Sequence, residues 1–210
     1  MLDWQDYARI LGALLIITDP VSILPTFIAL TADRTPAQRK RAARVAACGT
    51  AVILGAAAIL GDAIIRGFGA SVAAFEVGAG LILLIMAIEL LQARLGATRQ
   101  VPGEVEDAEA RDEVALVPVA VPLLAGPGAI STVMVYAHRG PVLWHGLALC
   151  GIIVVVALVV WVVLRSATTI ARLLGRTGIN IANRLLGLIL SGVAVGLMAD
   201  GVKGLFPSLR

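Results

Sequence analysis

Six runs of largely apolar residues, at 8–30, 45–65, 70–91, 114–137, 143–164 and 180–199, take up most of this chain. A helix of about 20 apolar residues crosses the roughly 30 Å hydrocarbon core of a bilayer, so each run predicts a membrane span. The charged fraction of 15% and the mean hydropathy of +0.95 agree, because soluble domains carry about 25% charged residues. The expected fold class is an all-α membrane protein with six transmembrane helices and little chain left for a soluble domain. The first residues are acidic and no small-residue cleavage site follows the first run, so that run is expected to be retained as a span.

Two of the six runs are interrupted near their middle by proline: Thr18-Asp19-Pro20-Val21-Ser22 in the first and Ala125-Gly126-Pro127-Gly128-Ala129 in the fourth. Proline has no amide proton and collides with the preceding turn, so a helix must bend, unwind or restart there. In hydrocarbon an unsatisfied backbone group costs several kcal/mol, so such a break survives only where protein, water or a ligand meets the freed groups. Both interruptions fall near the calculated bilayer midplane. Paired breaks at that depth predict a binding site between spans 1 and 4.

A shift of 107 positions lays Pro20 on Pro127 and Gly80-Leu81-Ile82-Leu83 on Gly187-Leu188-Ile189-Leu190. This register predicts an internal duplication with three spans per half. Three is odd, so the halves enter the bilayer in opposite directions, the inverted-repeat plan of many secondary transporters. The expected organisation is a first repeat at 1–91, an acidic cytoplasmic connector at 92–113 and a second repeat at 114–210. Glycines in spans 2, 3 and 6, including Gly49, Gly55, Gly78, Gly80, Gly187, Gly192 and Gly196, predict close helix packing.

The net charge of +3 and pI near 9.3 come from basic residues in short loops, which offer no folded platform for nucleic acid. They bear on orientation instead. Loops after spans 1, 3 and 5 hold twelve of the seventeen Lys and Arg, against Arg9, Arg66, Arg139, Lys203 and Arg210 on the other side. By the positive-inside rule both termini lie outside and the chain is a multi-pass plasma-membrane (cell inner membrane) protein. Cys48 and Cys150 lack CxxC spacing and are expected to be packing residues. His138 and His145 lack metal-ligand spacing and are expected in a solvated external loop. No metal or other cofactor is implied.

At the breaks, Asp19 before Pro20 has the form of an N-cap before a first-position proline, so the second half of span 1 is expected to begin there. Gly126 before Pro127 is expected to start a second half-helix. Helix N-termini carry unpaired amides and about half a positive charge, which suits a carboxylate. The Asp19 carboxylate opposes a purely anionic ligand, and a zwitterion removes the conflict. The ligand carboxylate would meet backbone amides near the Gly126-Pro127-Gly128-Ala129 turn, where Pro127 opens the half-helix and has no amide proton of its own. Asp19 would face the ammonium or carry the coupling proton, beside Pro20. Thr18, Ser22, Ser131 and Thr132 would supply hydroxyls, or bond only to their own helices. Glu76 and Asn183, related by the 107-residue shift, either line a pathway as a symmetric polar pair or lie near the interface, and the interfacial reading is the expected one; Asp62, Glu89 and Asp200 are expected near span ends.

Asp19-Pro20-Val21-Ser22-Ile23-Leu24-Pro25, the following Phe27 and Leu30-Thr31, and Pro122 through Thr132 resemble the two signature segments of the MarC family. The resemblance covers nearly the whole chain. Ser22 and Ile23 depart from the family's usual Gly-Asn in the first segment. The family is similar to small neutral amino acid transporters, so the resemblance implies movement of glycine, alanine or related solutes, with protons as a candidate driver. No GxxxxGK[ST] nucleotide-binding signature occurs. The GxGD pattern of an intramembrane aspartyl protease is also absent, so no enzymatic activity is expected. The alternatives are a non-transporting accessory or assembly protein and a drug or metabolite exporter. Partners are therefore the lipid bilayer and a small-molecule substrate, with the oligomeric state open.

Overall fold

The computed structural model describes residues 3–67, 69, 71–92, 124–138, 142–206 and 208. Among them the chain is helical throughout, with α1 at Trp4–Thr18, α2 at Leu24–Leu30, α3 at Pro36–Gly67, α4 at Val72–Leu91, α5 at Pro127–Ala137, α6 at Val142–Arg165 and α7 at Ala167–Leu205. The connector from residue 93 onward and the first half of the expected fourth span lie outside the described residues. Four helical segments are long and apolar enough to cross a membrane: Pro36–Gly61, Val72–Leu91, Trp144–Arg165 and Thr177–Leu205.

Local chemistry sets several helix ends. Thr35 and Gln38 form a reciprocal box at the start of α3, with Gln38 N donating to Thr35 Oγ1 at 3.3 Å and Thr35 N to Gln38 Oε1 at 2.8 Å. Arg39 reaches back to the end of α2, where its Nε and Nη2 donate to the carbonyls of Thr31 and Ala32 at 2.9 and 2.8 Å. Ser71 Oγ accepts from Ala74 N at 3.1 Å and so caps α4. Within α7, Gly175 has φ 60° and ψ −178°, which breaks the helix into a short first piece and a long second one. Only glycine takes that backbone shape without strain.

The core gathers around α5, whose Gly128, Ala129 and Ser131 to Val135 are all buried. α1, α3 and α4 pack against α5, and α6 lies against α3 and α1. The α1 stripe of Ile10, Ala13, Leu14, Ile17 and Thr18 faces inward at helical spacing. Outward faces are equally apolar: Val52, Ile59, Leu81, Leu147, Val154, Leu158 and Leu188 are among the exposed large side chains. A soluble helix would place charge there. Lipid explains the pattern, because hydrocarbon solvates an outward leucine as well as a core does.

α4 and α7 form the most extensive pair and run antiparallel. Gly201 lies against Ala73 and Val77, Gly80 against Ala194 and Met198, and Gly187 against Ala87 and Leu91. The approach is through backbone: a Cβ on Gly80 would sit 2.8 Å from the Ala194 carbonyl, and one on Gly187 would sit 2.9 Å from the Ala87 carbonyl. Close packing therefore holds at these two expected glycines. Gly55, Gly78, Gly192 and Gly196 instead have no protein atom within 4 Å of such a Cβ.

Two expectations about cysteine and histidine are corrected. Cys48 and Cys150 are exposed on α3 and α6, since their positions fall on lipid-facing stripes. His145 is buried inside α6, at 1% exposure, and is no solvated loop residue. Its Nε2 lies 2.6 Å from the Tyr136 carbonyl, which can only accept, so Nε2 donates and Nδ1 accepts from the Tyr7 hydroxyl at 3.2 Å. One ring thus ties the N-terminal parts of α1 and α6 to the C-terminal end of α5. Burying it costs little because both nitrogens are satisfied.

Candidate functional site

α1 ends where its last backbone donor turns back: Asp19 N donates to the Leu15 carbonyl at 3.1 Å, and Asp19 itself adopts φ 39° and ψ 67°. It is the only described non-glycine residue with positive φ. Aspartate is among the few residues that tolerate this left-handed shape. Asp19 is fully buried, with Oδ1 accepting from Ser22 N at 3.2 Å and Oδ2 accepting from the Ser22 hydroxyl.

The expected restart at Pro20 is corrected by this geometry. Asp19 caps only a single turn through Pro20, Val21, Ser22 and Ile23, and α2 begins at Leu24 with Ile23 at its N-cap. The physical reason is the left-handed aspartate, which redirects the chain before a continuous helix can form. Pro25 rather than Pro20 occupies the first turn of α2.

Asn183 joins this turn from α7. Its Oδ1 lies 2.7 Å from Ser22 Oγ, across 161 residues of sequence, and shares with Asp19 Oδ2 the single proton of that hydroxyl; the side chain is fully buried. Asn183 Nδ2 has no hydrogen-bond partner. Asn183 is thus shielded by protein rather than open to solvent, and the helix containing it extends well beyond the apolar run that marked span 6. The sequence did hold a signal: Asn183 is a polar residue one turn before the repeated Gly-Leu-Ile-Leu. Glu76, its partner under the 107-residue shift, is half-buried one turn into α4. Glu89 is half-buried and Asp200 exposed.

The second break has another character. Gly126 is extended, with φ −64° and ψ 172°, and forms the N-cap of α5 with Pro127 as the first helical residue. This matches the expected half-helix start. No side chain caps it, so the amides of Gly128 and Ala129 point out of the helix end without an intrahelical acceptor. Gly128 is pressed onto α4, where a Cβ would lie 2.6 Å from Met86 Sδ and 3.0 Å from a Leu83 methyl.

The hydroxyls divide. Thr18 Oγ1 donates to the Leu14 carbonyl at 2.9 Å and Ser131 Oγ to the Pro127 carbonyl at 2.8 Å, so both serve their own helices. Ser22 belongs to the Asp19 cluster. Thr132 is fully buried and its Oγ1 has no partner. Buried polar atoms are normally paired; among the buried side-chain atoms of the described residues, Thr132 Oγ1 and Asn183 Nδ2 lack a partner. No group of three or more His, Cys, Asp or Glu among the described residues is arranged to hold a metal.

Residues 4–206 match the family described as MarC family integral membrane protein. The chain is 34% identical over 211 residues to the UPF0056 membrane protein YhcE of Escherichia coli strain K12, covering 99% of this chain and 96% of that protein. It is 36% identical over 193 residues to a UPF0056 membrane protein of Aquifex aeolicus, covering 92% and 90%. YvbG of Bacillus subtilis, also a UPF0056 membrane protein, is 33% identical over 199 residues, covering 94% of each. No solved structure matches. With the match running from the start of α1 to the residue after α7, this chain belongs to the MarC family of integral membrane proteins.

Proposed function

We propose that the protein is a secondary transporter of small solutes, with small neutral amino acids such as glycine and alanine as substrates, working by alternating access. The observation that carries this reading is the fully buried Asp19–Ser22–Asn183 cluster in the interruption of an otherwise apolar helix. A carboxylate at such a position is costly and marks a pathway in most membrane proteins. Asp19 faces the substrate ammonium or carries a coupling proton, and the amides at the N-terminus of α5 meet the substrate carboxylate. Thr132 and Asn183 offer one further hydrogen bond each.

The architecture in this reading is six spans in two inverted halves, with both termini outside. Support comes from recurring boundaries. α2 ends at Leu30 and α5 at Ala137, 107 residues apart, and the break at Gly175 falls 107 residues after Phe68, at the α3–α4 junction. The contacts of Gly80 with Ala194 and Met198 also become those of Gly187 with Ala87 and Leu91 when every number is shifted by 107 in the appropriate direction. Reciprocal contacts of this kind are what a two-fold relation generates.

Uptake of labelled glycine and alanine into liposomes holding the purified protein tests the reading. An imposed proton gradient should drive accumulation, and Asp19→Asn should abolish the gradient-driven part. Uptake equal to empty vesicles across the small neutral amino acids would remove the substrate assignment.

A further inference from the structure

α3 and α6 leave a groove of about 410 Å³ between them, lined by residues of these two helices. Arg44, Cys48 and Ala51 of α3 and Val154, Leu158 and Trp161 of α6 line it. The two helices are antiparallel. Gly61, late in α3, lies by Met134, while His145, early in α6, bonds to Tyr136, so both meet the same end of α5. Arg44 and Trp161 consequently share the opposite end of the groove.

Arg165 lies at that end too, its guanidinium carbon 5.2 Å from the Trp161 ring centroid. Both arginines are exposed, and neither forms an ion pair with a carboxylate among the described residues. From Ala47 to Ala51 and from Val154 to Leu158 the lining is apolar. Two cations therefore stand over an apolar slot whose α3 wall runs about 10 Å from Arg44 to Ala51. Guanidinium groups bind phosphate strongly and with directional hydrogen bonds. Tryptophan at such a place sits at headgroup depth. A soluble anion has no use for the slot, and a plain hydrocarbon has none for the arginines.

We propose that this groove binds an anionic glycerophospholipid, with one acyl chain in the slot and the phosphate at the Arg44 and Arg165 end. Basic sites between transmembrane helices hold anionic headgroups by the same chemistry. A zwitterionic lipid brings its own cation to the arginines and binds more weakly. The site is separate from the Asp19 cluster and does not depend on the transport reading.

The test uses the full chain purified in an uncharged detergent, with thermal unfolding followed during titration with phosphatidylglycerol or with phosphatidylcholine of the same chains. Ligand that binds the folded state raises the transition by mass action. Phosphatidylglycerol should raise it at lower concentration, and Arg44→Gln with Arg165→Gln should weaken its apparent affinity about tenfold. Ala51→Phe, which fills the slot and keeps both arginines, should weaken it as well and decides the matter if the double variant does not fold. In a Cys150→Ala background, phosphatidylglycerol should slow maleimide labelling of Cys48. Equal effects of the two lipids would overturn the proposal, as would an equal shift from inorganic phosphate. Cys48 protection that follows protein concentration instead of lipid would also overturn it and identify a second copy as the occupant.

Discussion

Between Thr18 and Leu24 the chain leaves its helix through a left-handed aspartate and answers its freed peptide groups with its own side chains, whereas at Gly126 it passes from extended backbone straight into α5 with no side-chain cap. The first interruption is polar and braced by a residue from α7. The second is small, apolar and pressed against α4. The two prolines thus stand at unequal sites: one offers a carboxylate and an amide, the other backbone amides. A zwitterion has the same inequality in its two ends, and the proposed substrate class rests on that match.

The contrast can be broken most forcefully at Asp19. Asp19→Ala leaves Ser22 N without its acceptor, leaves the Ser22 hydroxyl with Asn183 Oδ1 alone and places alanine in a left-handed conformation, a loss of about 3 kcal/mol. Asp19→Asn keeps an acceptor and tolerates that backbone, so it should cost only about 1 kcal/mol while removing gradient-driven uptake. Thermal unfolding in detergent and liposome uptake, measured on both variants, separate the two roles; equal melting curves would deny the carboxylate its bracing function.

Gly128→Val tests the second break by volume. Its side chain meets Met86 and Leu83, so overpacking of about 2 kcal/mol is expected, again read by thermal unfolding. Asn183→Ala removes the cross-helix partner of Ser22, for a loss of about 1 kcal/mol, and should lower uptake more than that loss implies if the amide touches substrate. The smallest effect belongs to Thr132→Val. With no partner for Oγ1 to lose, stability should hold within about 0.5 kcal/mol, and any fall in uptake at unchanged folding would place the hydroxyl at the substrate.

Much of this was legible before any coordinates. Apolar runs gave helices, and the Gly126-Pro127 dipeptide gave the start of α5, because extended glycine before a first-turn proline is a local preference. The start of α2 was not legible, since Asp19-Pro20 reads equally well as a helix cap; only the left-handed backbone, which hands the carboxylate to Ser22, decides it. Asn183 and His145 escaped for a tertiary reason. Their burial depends on partners 161 and 138 residues away, which no window of sequence contains. The cysteines misled because burial in protein and exposure to lipid select the same residues.

The α4–α7 seam has a consequence for how such a chain can arise. Gly80 is the notch for Ala194 and Met198, and Ala87 with Leu91 is the ridge for Gly187, so a single α4 carries both complementary parts. In the inverted-repeat reading proposed above, a gene encoding only the first half would make a product able to mate with an upside-down copy of itself. Fusion of two such genes would then tether a joint that already closed.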